Sequence, residues 1–140
     1  MNKLQNILLI EDNEFINIYN RKIIEKMDIT DHVEVIEDGR EALDYLLNLG
    51  KYNGANGSHP APDLIFLDIN MPRMNGWEFI EEYLKAGQKE ARPSKIVILS
   101  TAPNPDDVKK YSGVPEILCF EKKPLTKEKI HSIITRHFAK

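Results

Sequence analysis

The stretch Leu64-Ile65-Phe66-Leu67-Asp68 decides the fold, because four successive apolar residues end in a carboxylate. Continuous rather than alternating hydrophobicity is typical of a strand that is covered on both faces. An acidic side chain at the margin of a core needs a partner for its charge. The stretch therefore predicts a buried strand of a parallel sheet, with a carboxylate at the strand's carboxyl end.

Four further apolar runs of strand length occur along the chain, and helical patterns separate them. The predicted strands cover residues 6–10, 32–36, 63–67, 95–99 and 117–120. The predicted helices begin near Asn13, Asp38, Asn75, Asn104 and Thr126, which are residue types that cap helix N-termini. Strict alternation with right-handed crossovers gives an open, doubly wound α/β sheet. At 140 residues, the chain fits a single domain over residues 1–140 with one core.

The helices differ in how much apolar surface they offer. In the first helix, one apolar stripe is predicted from Ile16, Tyr19, Ile23 and Met27. The fourth helix has only Val108 and Tyr111 to bury, so we expect it to be easily displaced. Gly87 is the predicted stop of the third helix, and residues 50–62 are predicted to form an exposed loop.

Composition narrows the classes of partner. The formal net charge is -3, and no long basic run is present, so direct nucleic-acid binding is not expected. The N-terminus has no apolar signal segment, and no stretch approaches the roughly 20 apolar residues that span a bilayer. We therefore expect a cytoplasmic protein without membrane contact. Cys119, the single cysteine, lies in an apolar strand and is interpreted as a plain buried residue.

Five polar residues follow predicted strands and should meet at one edge of the sheet. They are Glu11, Asp12, Asp68, Ser100 and Lys123. Doubly wound folds bind ligands outside the carboxyl ends of their strands, at the switch point in strand order. Clustered carboxylates raise one another's proton affinity unless a cation compensates them. Mg²⁺ suits such a site, since it takes oxygen ligands and is often held by one or two carboxylates plus substrate phosphate.

The acidic residues have separate predicted roles at this edge. Asp12 and Asp68 are the candidate metal ligands, together with the backbone carbonyl of Asn70. Glu11 is expected to act through water or to orient the shell around the metal. Mg²⁺ is thus the predicted cofactor.

Phosphoryl transfer is the chemistry that this set of residues supports. A carboxylate can attack phosphorus and form an aspartyl phosphate if the charge on the transferring group is neutralised. Asp68 is the candidate nucleophile. Lys123 would pair with the phosphoryl oxygens as a point charge, and the Ser100 hydroxyl could donate to the same oxygens.

At these residues the chain resembles the receiver domains of two-component response regulators. The matching segments are residues 9–12, 67–76, 99–102 and 121–124, and the resemblance covers essentially the whole chain. It implies a flavodoxin-like fold, with five helices around a five-stranded parallel sheet of strand order 2-1-3-4-5. It also implies a cis peptide between Lys123 and Pro124.

The resemblance further implies a stand-alone, chemotaxis-regulator-like receiver. A sensor histidine kinase or a histidine phosphotransfer protein would donate the phosphoryl group to Asp68 in a Mg²⁺-dependent reaction. The domain would assist its own phosphorylation and dephosphorylation without being an enzyme. Ser100 and Phe120 match the family's switch positions, and the fourth helix, fifth strand and fifth helix would form the output face. Output is expected through protein contact, phosphate transfer or self-association, and a second copy is a candidate partner at this face.

Two departures and two alternative functions accompany this interpretation. The acidic pair is Glu11-Asp12 where Asp-Asp is commoner, and the switch aromatic is Phe120 rather than tyrosine.

A phosphatase of the haloacid dehalogenase type also uses an aspartate after a strand, but it needs a second acid where Asn70 stands. A pseudo-receiver that binds its partners constitutively is the other alternative.

Overall fold

The computed structural model describes residues 3–47, 49, 52, 61–71, 73–86 and 94–138. Within them, parallel strands lie where the apolar runs predicted them: β1 (Ile7–Ile10), β2 (Val33–Ile36), β3 (Leu64–Asp68), β4 (Lys95–Ser100) and β5 (Ile117–Lys122). The strands form a 5-stranded sheet in the order β2-β1-β3-β4-β5. The predicted flavodoxin-like topology is therefore confirmed. Asp68 and Ser100 are each the last residue of a strand, one residue beyond the predicted ends.

Helices alternate with the strands along the described chain. They are α1 (Glu14–Met27), α2 (Gly39–Leu47), α3 (Gly76–Lys85), α4 (Pro105–Tyr111) and α5 (Lys127–His137). Asn13, Asn75, Asn104 and Thr126 cap α1, α3, α4 and α5 through their side chains, and the predicted helix starts are thereby confirmed. At the start of α2, the Asp38 carboxylate accepts a hydrogen bond from the Glu41 backbone N–H at 3.3 Å.

The helices cover both faces of the sheet, which explains the continuous hydrophobicity of the central strands. On one face, strand residues such as Leu8, Ile65 and Ile98 pack with α2, α3 and Tyr111 of α4. On the other face, neighbours such as Leu9 and Phe66 pack with α1 and α5; Ile24, Ile130 and Ile134 are among the helix residues there. Successive strand residues point to opposite faces, so each apolar run serves both cores.

The inner face of α1 differs from the predicted stripe. Tyr19 is 49% exposed, so its predicted burial is wrong, whereas Asn17, Asn20 and Ile24 are buried. The physical reason lies at the acidic edge, where the Asn17 amide donates a hydrogen bond to the Glu11 backbone carbonyl at 2.7 Å. The helix therefore presents a polar side chain where it passes the end of β1.

The fourth helix is short and has one main anchor. It spans 7 residues, of which Tyr111 alone is buried. Tyr111 stacks on Trp77 of α3 with a centroid distance of 4.7 Å, and its hydroxyl donates to Glu81 Oε1 at 2.8 Å. The remainder of α4 is exposed or partly exposed, as expected for a helix with few apolar residues.

Other expectations have mixed outcomes. Cys119 is partly rather than fully buried, and burial raises the pKa of its thiol to about 11. Gly87 and most of the predicted loop at residues 50–62 lie outside the described residues. In the described part of the chain, no helix is both long enough and apolar enough to cross a membrane.

Candidate functional site

The ends of β1 and β3 bring three carboxylates together. Ile10 pairs with Leu67 across the two strands, so Glu11 and Asp12 leave β1 beside Asp68. One carboxylate oxygen from each of the three acidic residues lies within 4.8 Å of the others. Glu11 and Asp68 are buried, whereas Asp12 is exposed. The sheet register therefore brings the predicted acidic residues into one cluster.

Lys123 supplies positive charge to this cluster from the end of β5. Its Nζ lies 2.8 Å from Asp68 Oδ1 and 2.9 Å from Glu11 Oε1. Burial by itself lowers the pKa of Lys123, but the hydrogen bonds to Asp68 and Glu11 outweigh burial and raise the net pKa above its usual value. The side chain is only 16% exposed, so the ammonium is held in place with little contact to water.

Glu11 is the most perturbed acid of the cluster. Burial raises its pKa to about 7, although the hydrogen bond from Lys123 opposes the rise, and the nearby charge of Asp68 adds to it. Its second carboxylate oxygen, Oε2, accepts the Asn13 backbone N–H at 3.1 Å. Both oxygens thus have donors within the protein, an arrangement that suits a residue orienting its neighbours.

The loop after β3 fixes the Asp68 carboxylate. Asp68 Oδ1 accepts the Asn70 backbone N–H at 3.2 Å in addition to the bond from Lys123. A Cβ added to Gly76 would lie 2.7 Å from the backbone Cα of Ile69 as well as 2.5 Å from its Cδ1, so only glycine fits the close approach of α3 to this loop. Arg73 lies between Asn70 and Gly76 in sequence and has a φ of 64°, a left-handed conformation that residues with a side chain rarely adopt.

Ser100 and Phe120 border an open pocket beside the acidic cluster. Ser100 is buried, and its Oγ accepts the Ala102 backbone N–H at 3.2 Å. The pocket measures about 170 Å³, and its walls include Ser100, Phe120, Trp77 and Asn70. The partly buried Phe120 ring lies 6.0 Å from the Trp77 ring, centroid to centroid. Both predicted switch residues therefore line the same space.

The residues present fit a hard divalent cation. Among the residues that the structure describes, three carboxylates face one ammonium at the edge of the sheet, so acidic groups outnumber basic ones there. Carboxylate oxygens are the ligands that Mg²⁺ prefers. The cluster thus has the donor chemistry of a magnesium site.

Sequence reasoning missed two polar residues close to the site. Asn17 lies on the buried face of α1, and its Oδ1 has no hydrogen-bond partner among the described residues. Lys129 in α5 donates to the carbonyls of Lys122 and Pro124 on either side of Lys123. The sequence gives no signal for either contact as clear as the apolar runs that mark the strand ends. Lys129 does depart from the usual capping pattern, in which glutamate or glutamine stands three residues after the N-cap.

Known proteins resemble this chain in sequence and in fold. A sequence model of the response regulator receiver domain matches residues 7–135. The probable methanogenesis regulatory protein FilR2 of Methanothrix harundinacea is 31% identical over 109 residues, which are 76% of this chain and 65% of FilR2. Response regulator Rcp1 of Synechocystis is 30% identical over 102 residues, 73% of this chain and 65% of Rcp1. This chain thus spans just under two thirds of the length of each relative.

Solved structures agree with this likeness. A two-component response regulator from Cytophaga hutchinsonii has a TM-score of 0.81 at 28% identity, with 96% of each chain covered. The Mn²⁺-bound form of Rcp1 has a TM-score of 0.72 at 26% identity, covering 96% of this chain and 94% of that one.

Fold and site together define a signalling domain of two-component systems. The chain belongs to the family of response regulator receiver domains, as the sequence resemblance implied. Domains of this family bind Mg²⁺ at an acidic pocket and receive phosphoryl groups from histidine kinases or phosphotransfer proteins.

Proposed function

We propose that this chain is a phosphorylation-switched receiver whose phosphoacceptor is Asp68. The observation that carries the proposal is the Lys123 ammonium, which bridges Asp68 and Glu11 at 2.8 and 2.9 Å inside a cluster of three carboxylates. A carboxylate so arranged has a cation ready for the charge of an incoming phosphoryl group. An isolated strand-end aspartate would have no need of a buried lysine.

The transfer itself requires few protein groups. A carboxylate oxygen of Asp68 attacks the phosphorus of a phosphohistidine, and a P–O bond forms as the P–N bond breaks. The electron pair of the P–N bond returns to the imidazole nitrogen of the donor, and Asp68 becomes an acyl phosphate. Lys123 keeps its proton and pairs with a phosphoryl oxygen, while the Ser100 hydroxyl donates to another.

Asp12, Asp68 and the backbone carbonyl of Asn70 would hold Mg²⁺, with Glu11 acting through water or as a second-sphere partner. When bound, the cation neutralises charge on the transferring phosphoryl group. The acidic cluster supports this assignment because its three carboxylates outnumber its one ammonium. The likeness to Rcp1, of which a Mn²⁺-bound form has been solved, also supports it.

The switch that we propose runs from Ser100 to Phe120. A phosphoryl group adds roughly two negative charges and strong acceptors, which would draw the Ser100 hydroxyl toward Asp68. The pocket that both residues border gives the Phe120 ring space to turn inward. Because Tyr111 is the one main anchor of α4, a movement of the Phe120 ring can shift this helix. The face formed by α4, β5 and α5 is therefore the proposed output surface.

We further propose the cellular setting of this switch. A sensor histidine kinase or a phosphotransfer protein is the donor, and output passes through protein contact, with a second copy as a candidate at the α4-β5-α5 face. The well-mixed charge, with a net value of -3, argues against nucleic acid as a direct partner. Residues 1–140 would act as one cytoplasmic receiver that assists its own phosphorylation and dephosphorylation.

Intact mass measured after incubation with acetyl phosphate and Mg²⁺ tests the proposal. Wild type should gain the mass of one phosphoryl group, Asp68→Asn should gain none, and a chelator should abolish the gain. Asp106→Asn, at an exposed residue in the first turn of α4, is the matched control and should label like wild type. An unlabelled wild type, or an Asp68→Asn protein that still labels, would overturn the assignment.

A further inference from the structure

The first turn of α5 contains a lysine that reaches back toward the loop carrying Lys123. Lys129 Nζ donates to the backbone carbonyl of Lys122 and, at 3.0 Å, to that of Pro124. These two carbonyls flank Lys123 in sequence. One ammonium group thus closes the turn that presents the Lys123 side chain to Asp68 and Glu11.

The position of this lysine is costly for the helix itself. Thr126 caps α5 by accepting the Lys129 backbone N–H at 3.1 Å, which makes Lys129 the third helical residue. A glutamate at that position would complete a capping box, and acidic side chains are favoured near the positive end of the helix dipole. Lysine forgoes both contributions. A local rule broken next to a functional site needs a compensating interaction, and the two carbonyl contacts provide it.

The Lys123 backbone is held from a second side as well. Its N–H donates to the Ser100 carbonyl at 2.8 Å, at the point where β4 ends beside β5. Ser100 therefore fixes the start of the turn, and Lys129 fixes the carbonyls on either side of it. A long, flexible lysine side chain delivers its charge to one place only if its backbone is fixed.

We propose that Lys129 is a positioning residue for phosphoryl transfer, which acts by fixing the backbone on both sides of Lys123. The inference rests on the proposed phosphoacceptor function, because it assigns Lys129 to the same reaction. Lys129 touches neither the acidic cluster nor the phosphoryl group in this role. It should therefore affect the rate of transfer without contributing to metal binding.

Three substitutions separate positioning from a structural role. Lys129→Met removes the hydrogen-bond donor and keeps the approximate length of the side chain. Lys129→Glu also removes the donor but completes the capping box, so it should preserve or raise the urea midpoint of unfolding. Lys129→Arg keeps donors at the same place. Lys127→Met, one helical residue into α5 and exposed, removes the same charge from the same turn and is the matched control.

The initial rate of phosphorylation by acetyl phosphate, at saturating Mg²⁺, is the readout. We expect Lys129→Met and Lys129→Glu to slow labelling on the order of tenfold, less than the roughly hundredfold cost of a 1 Å misplacement. Lys129→Arg should be faster than Lys129→Met, and Lys127→Met should match wild type. Calorimetric titration should find the Mg²⁺ affinity of Lys129→Met unchanged.

Several results would overturn the inference. If wild type labels and Lys129→Glu labels equally fast, the inference fails while the proposed function stands. If Lys127→Met slows as much as Lys129→Met, the effect is one of charge and not of position. A parallel loss of Mg²⁺ affinity would mean that the acidic cluster has moved, which also contradicts the inference. If wild type does not label at all, the proposed function falls, and the inference falls with it.

Discussion

Lys123→Met should destabilise the metal-free protein by an amount that the geometry allows us to estimate. At contacts of 2.8 and 2.9 Å the ammonium gains roughly 6 kcal/mol of Coulomb energy from each carboxylate at an effective dielectric constant near 20, before desolvation is counted. Desolvation of the ammonium offsets much of this gain. Removing one partner of a buried pair typically costs ~3–5 kcal/mol, and the remaining exposure of Lys123 favours the lower end, about 3 kcal/mol.

Urea unfolding with a chelator present, followed by circular dichroism, measures this cost. With a slope of about 2 kcal/mol per molar urea, the midpoint should fall by about 1.5 M. At one fixed Mg²⁺ concentration, the cation should then stabilise Lys123→Met more than wild type, since it replaces the lost positive charge and binds more tightly. A protein at a Mg²⁺ concentration 100 times its dissociation constant gains about 2.7 kcal/mol.

The neighbouring exposed residue provides the matched control: Lys122→Met should unfold at the wild-type urea concentration. A midpoint of Lys123→Met within experimental error of wild type would refute the electrostatic reasoning. So would equal stabilisation of both proteins by Mg²⁺, because the carboxylates would then not depend on Lys123 for compensation.

Three further substitutions test the surrounding loops and α4 by the same unfolding assay. Arg73→Gly should stabilise the protein by less than about 1 kcal/mol, because glycine adopts the φ of 64° without the left-handed penalty but the exposed ion pair between Arg73 and Asp38 is lost; a loss of stability would contradict this. Gly76→Ala should destabilise it by about 3 kcal/mol, since the new methyl group would lie 2.7 Å from the backbone Cα of Ile69; a wild-type midpoint would show that the backbone of the loop moves without cost. Tyr111→Phe should cost about 1 kcal/mol through loss of the hydrogen bond to Glu81. Amide hydrogen exchange should quicken in α4 of this variant, and unchanged exchange would show that the hydrogen bond to Glu81 does not help to anchor the helix.

Most of the acidic site could be predicted because it depends on strand ends alone. Parallel strands bring their carboxyl ends to one edge whatever the details of packing, and β1 lies beside β3, so Glu11, Asp12 and Asp68 are neighbours once the strands are assigned. Lys123 follows β5, which β4 separates from β3, so its contact with Asp68 also depends on the reach of its side chain. Continuous apolar runs identified those strands, since both faces of the sheet are covered. Short segments of sequence are therefore enough to predict which carboxylates form the acidic cluster.

The contacts of α1 and α5 could not be predicted in the same way. Helical spacing gives the angle between side chains but not which face meets the sheet, so the apolar stripe predicts burial of Tyr19, whereas the folded helix buries Asn17. The burial of Asn17 depends on a backbone carbonyl of Glu11 that only the folded chain brings near. Lys129 is a similar case, because its acceptors are carbonyls of a turn and carry no side-chain signature.

The energies that hold α4 are of the size that a single phosphoryl group can change. Stacking of Tyr111 on Trp77 is worth about 0.5–1.5 kcal/mol beyond burial, and the hydrogen bond to Glu81 about 1 kcal/mol. A charge-assisted hydrogen bond from Ser100 to a phosphorylated Asp68 would contribute about 1.5–3 kcal/mol. Because the Trp77 ring contacts Tyr111 and lies beside Phe120, a change in the Phe120 ring reaches the anchor of α4 through one side chain. A longer fourth helix with several buried residues would resist such a signal, so the weakness of α4 is itself a requirement of the proposed switch.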